Sequence, residues 1–125
     1  MQPYAALVPG QRLRGLAETR LYTQDMTAQP RLTIHAELRA KPGQEATLRE
    51  LLLGLIEPTR KEAGCLQYDL HEDNDQAGLF FFYENWVSRA HLDAHLASPH
   101  VGALLAREDE LLAEPARLVF ATRLA

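Results

Sequence analysis

A chain of 125 residues suits one domain, and 46% hydrophobic with 24% charged residues is an ordinary globular composition. With 13 scattered basic residues against 17 acidic ones, the net charge of −4 excludes an electrostatic case for nucleic acid. One cysteine rules out an internal disulfide and fits a reducing cytoplasm, and no apolar stretch nears the ~20 residues that cross a bilayer.

Residues 1–30 carry Pro3, Pro9, Gly10, Gly15 and Pro30 with no sustained period, apart from a helical turn around Leu13, Leu16, Ala17 and Leu21. They read as an N-terminal extension ahead of a domain at 31–125, either ordered on a partner chain or an appended tail. MQPYAALVPGQRLRG holds no long apolar run, so no secretory signal is expected. RLTIHAELRA (31–40) then alternates, with Leu32, Ile34, Ala36 and Leu38 on one face, the pattern of a half-buried strand. KPGQ is a turn, and from Glu45 the spacing of Leu48, Leu51, Leu52, Leu55 and Ile56 predicts a helix. Pro58 should kink or interrupt that helix, and Gly64 should end it.

CLQYDLHED (65–73) alternates again, placing Leu66, Tyr68 and Leu70 together. LFFFYENWV (79–87) is an aromatic strand with Phe80, Phe82, Glu84 and Trp86 on one face. Ser88 is a candidate N-cap for one helix, Ser98-Pro99 opens a second through Leu111 and Leu112, and RLVFATRLA closes the chain as a strand. The order strand, helix, strand, strand, helix pair, strand is the βαββαβ unit of an α+β, ferredoxin-like fold. Parity assigns Leu118 and Phe120 to the helix-covered face with the residues above. The opposite face mixes Phe81, Tyr83 and Val119 with His35, Glu37, Arg39, His71 and Asn85. That mixture suits a sheet-to-sheet homodimer.

LTIHAELRAKPGQE, EPTRKEAGCLQYDL and FYENWVSRAHLDAHLASPH together resemble the antibiotic biosynthesis monooxygenase superfamily, and most of all its small quinol monooxygenase branch. The resemblance covers residues 32–124. It implies a dimeric α/β barrel and oxidation of a quinol or polyphenolic aromatic compound by O₂, with no metal or flavin. Such chemistry is physically reasonable, because a phenolate can itself donate an electron to O₂.

The resemblance places the family's pocket tryptophan at Trp86; an ordinary core tryptophan is the other reading. His95, flanked by Leu92 and Leu96, should tilt inward and serve as the acid–base group, or else as a core histidine satisfied by a backbone carbonyl. Tyr68 shares the parity of Leu70, so its hydroxyl faces the same space, either toward substrate or as core. Glu84 needs a partner or a raised pKa; a structural ion pair is the favoured reading, and an acid–base role in contact with substrate the other. Some antibiotic-pathway members hold substrate with an asparagine where this chain has Phe82, so an apolar pocket is expected here. His100 should act as a cap, His91 should face solvent, and His35 and His71 should lie on the dimer side. His91 and His95 sit at chelating spacing, but without H-E-x-x-H no metal is expected. Cys65, lacking neighbouring bases or a C-x-x-C, should be structural. Two alternatives are a non-catalytic dimeric protein that binds small aromatics, and a haem-binding or haem-degrading relative. The second lacks the strand-one asparagine, Glu37 or its neighbours standing there.

Overall fold

The computed structural model describes residues 31–125; the extension read at 1–30 lies outside them. In chain order the elements are β1 (Leu32–Arg39), α1 (Glu45–Leu53), α2 (Ile56–Arg60), β2 (Cys65–Glu72), β3 (Leu79–Trp86), α3 (Arg89–Leu96), α4 (Pro99–Leu105), α5 (Glu108–Leu111) and β4 (Arg117–Thr122). The strands form one antiparallel sheet in the order β2-β3-β1-β4, the ferredoxin-like arrangement. The sheet is open, with β2 and β4 at its edges.

Side-chain parity carries the packing. Register pairs Ala36 with Phe82 and Leu38 with Phe80, so the alternating apolar residues of β1 and β3 line up across one face. Against them pack Leu48, Leu52 and Leu55 from the first helical segment and Leu92, Leu104 and Leu111 from the second. Helix starts follow local chemistry. The Ser88 and Ser98 hydroxyls accept from the amides of His91 and Val101, and Pro99 takes the first helical position.

The structure corrects several expectations. The first helix breaks at Gly54 and Leu55, ahead of Pro58, which sits in the first turn of α2 where its missing N–H costs little. Helix α2 ends at Arg60, and Gly64 instead serves the turn into β2 with φ of 82°. A β-bulge between Cys65 and Gln67 turns Leu66 outward, leaving it 47% exposed, while Cys65 takes the place opposite Trp86. Leu118 and Phe120 have the expected parity, but each is 40% exposed, because β4 is an edge strand. The Arg89 guanidinium lies over the Phe120 ring at 4.4 Å from its centre. The second helical run is divided into α4 and α5 around Ala106 and Arg107.

Candidate functional site

The end of β3 sets the site. Residues two apart on a strand share a face, so Glu84 and Trp86 both point toward the helices, and the indole Nε1–H donates to Glu84 Oε1 at 2.9 Å. The Ser88 cap fixes the phase of α3, so that Leu92 and His95 both turn inward. The imidazole of His95 lies against the Trp86 ring, centroids 4.7 Å apart, and meets Tyr68 edge-on at 5.4 Å. Tyr68, opposite Glu84 in the β2–β3 register, stacks on Phe82 at 4.6 Å. The five residues singled out from the sequence, Tyr68, Phe82, Glu84, Trp86 and His95, thus meet in one buried cluster.

Two members of the site were not anticipated. Glu62, in the turn between α2 and β2, brings Oε2 to 2.8 Å from His95 Nδ1 and 2.6 Å from His100 Nε2. His100 was expected to act as a cap; Ser98 performs that role, and the His100 ring joins Glu62 instead. Glu84 was expected in an ion pair, yet among the described residues its partner is the neutral indole N–H. His91 is half-buried rather than solvent-facing. Its Nδ1 lies 2.8 Å from Ser88 Oγ, and its ring packs on Gly64, where a Cβ would collide with it.

Burial governs the electrostatics. It lowers the His95 pKa below the ordinary histidine value, against the opposing pull of the Glu62 carboxylate, so the ring is neutral at neutral pH. With Nδ1–H donated to Glu62, the lone pair falls on Nε2, which has no partner among the described residues. Burial also pushes the Glu84 carboxyl up to about 7, although the indole hydrogen bond acts the other way. The Tyr68 phenol is driven well above its usual value, mainly by burial and then by Glu84, and stays protonated. The Cys65 thiol rises as well, through burial first and the charges of Glu62 and Glu84 second.

Thr59 is fully buried beside the Tyr68 phenol, and among the described residues its hydroxyl closes no hydrogen bond of normal geometry. The cluster is closely packed within the single chain. Its least covered members are Glu62 and His100, at 17% and 21% exposure, and they form its rim. A separate open cleft of about 330 Å³ lies along the β2 edge, lined by Arg60, Tyr68 and Asp69 together with Cys65, Leu66 and Gln67. Tyr68 belongs to both. Such an arrangement supplies a neutral base held by a carboxylate, a second proton-exchanging carboxyl and flat aromatic walls.

The family profile described as antibiotic biosynthesis monooxygenase matches residues 31–107. Rv0793 of Mycobacterium tuberculosis is 40% identical over 84 residues, 67% of this chain and 82% of its own length. Its solved structure superposes with a TM-score of 0.71 at 36% sequence identity, covering 76% of this chain and 96% of that one. The Escherichia coli protein named "Probable quinol monooxygenase YgiN" is 35% identical, over 58% of this chain and 79% of its own. The protein sll1783 of Synechocystis sp. is 32% identical over 70% of this chain, which spans 59% of that relative's length. By the match over most of its described residues, the chain belongs to the antibiotic biosynthesis monooxygenase family.

Proposed function

We propose that the chain is a monooxygenase that oxidises a quinol or polyphenol with O₂, the substrate itself supplying the electrons. The observation that carries this reading is His95, buried against Trp86 and Tyr68 with Nδ1 committed to Glu62 and Nε2 left as the basic nitrogen. A relative named as a quinol monooxygenase supports the substrate class. The buried Thr59 hydroxyl beside the Tyr68 phenol offers a further polar contact for a ligand.

In this reading side-chain movement opens the packed cluster to admit the ring beside Trp86, Tyr68 and Phe82, and His95 Nε2 takes a phenolic proton. The anion passes an electron to O₂ and the two radicals combine at a ring carbon. One oxygen atom stays on the ring and the other leaves as water. A hydroquinone thus becomes a hydroxyquinone, and its loss of four electrons balances the reduction of O₂. Glu84, with its pKa near neutrality, relays protons during loss of water. Glu62 positions the imidazole without touching substrate. We also place the domain at 31–125, in a reducing cytoplasm, as a homodimer packed through the sheet face that bears Phe81, Tyr83 and Val119; size-exclusion chromatography with light scattering tests the dimer.

The function is tested by oxygen uptake with metal-stripped protein and a panel of reduced quinones and polyphenols. Uptake above autoxidation, reduced at least ~100-fold in His95→Ala and in His95→Gln while the fold is kept, is the expected result. No uptake across the panel would favour a dimeric binder of small aromatics. A Soret shift on haem titration would favour a haem protein.

A further inference from the structure

Glu62, His95 and His100 come from three separate segments, the α2–β2 turn, α3 and α4, yet each brings one ligand-type atom within 4.8 Å of the others. Two imidazoles and one carboxylate are the donor set that zinc and its neighbours favour. We propose that these three side chains form a binding site for a divalent transition-metal ion, with zinc as the best match. The present distances suit hydrogen bonds, with both ring nitrogens converging on the single oxygen Oε2. A tetrahedral ion bound at about 2.1 Å needs its ligands ~3.3 Å apart. Glu62 and His100, both partly exposed, make this adjustment while His95 stays in place: each N–O contact opens by roughly half an ångström, and the two ring nitrogens, within 4.8 Å of each other, draw toward the same spacing.

Position and surroundings agree with an ion. Glu62 and His100 are exposed enough at the rim to admit it from solvent, whereas His95 is 3% exposed and fixed by the Trp86 ring behind it. Among the described residues no Lys or Arg forms an ion pair with Glu62, so no fixed cation competes for the carboxylate. Three protein ligands leave a fourth position for water. The site does not depend on the oxygenase reading: an ion on His95 Nδ1 would leave Nε2 carrying the proton, so the ion-bound form is not the form in which His95 acts as a base, and binding alone decides the proposal.

The test is titration of the chelator-stripped full chain with zinc chloride by calorimetry, with cobalt(II) as a spectroscopic stand-in. One ion per chain is expected, with visible cobalt bands of a tetrahedral nitrogen and oxygen site. Glu62→Gln and His100→Gln should each weaken zinc binding at least ~10-fold. His71→Ala, at an exposed position on the opposite sheet face, should leave it unchanged. Circular dichroism confirms that each variant is folded. Absence of stoichiometric binding, or equal affinity in wild type, Glu62→Gln and His100→Gln, would overturn the proposal.

Discussion

Replacing Glu84 with glutamine isolates the cost of a buried charge. The carboxyl is 4% exposed, lies opposite Tyr68 and Ile34 in the register, receives the indole N–H, and feels the charge of Glu62. Its pKa is pushed up from 4.5 to about 7. The folded chain therefore holds this proton more tightly than the unfolded chain does. The resulting stabilisation is complete below the unfolded value, falls as pH rises, and is lost once pH passes the folded value. At about 1.4 kcal/mol per pH unit, the gap between 4.5 and about 7 is on the order of 3 kcal/mol. Glutamine keeps the acceptor oxygen for Trp86 and the volume of the side chain, but it cannot ionise. Glu84→Gln should match wild type below about pH 4 and exceed it by on the order of 3 kcal/mol near pH 9. With a urea dependence of ~1–3 kcal/mol per molar, the midpoints should separate by about 1–3 M. Urea unfolding followed by circular dichroism across this range checks the difference. Parallel curves at all pH values would show that Glu84 ionises in the folded state at no cost, and the reasoning would fail.

Two further substitutions or probes test other features. Gly64→Ala should cost at least ~2 kcal/mol, since φ is 82° and a Cβ would run into the His91 ring; thermal unfolding within ~0.5 kcal/mol of wild type would refute the contact. Cys65 should alkylate several-fold more slowly than glutathione at neutral pH, because burial, Glu62 and Glu84 all hold the thiol protonated, and a faster rate would point to an activated cysteine.

Much of this was legible along the chain. Alternation in 32–39 and 79–86 carried the register of the central strands, and the Leu92 and His95 spacing carried the inward face of α3. What failed was local in one case and distant in another. Leu66, Tyr68 and Leu70 alternate without a flaw, so nothing in the pattern marks the bulge that turns Leu66 out. Edge position, which exposes Phe120, depends on strand order rather than on composition. Glu62 read as part of a polar helix end. Its partners His95 and His100 lie 33 and 38 residues away, beyond any periodicity. The roles of the clustered residues rest on chemistry that no spacing encodes.

The shared oxygen of Glu62 also ties together distant parts of the chain. Glu62 belongs to the first βαβ half of the chain, and His95 and His100 to the second, so neither half can assemble the cluster alone. Closing that contact requires both halves to dock, at the entropic expense of a long loop. Trp86, the chain's one tryptophan, stands at this seam against His95. Its fluorescence therefore reports on the formation of this contact between the two halves.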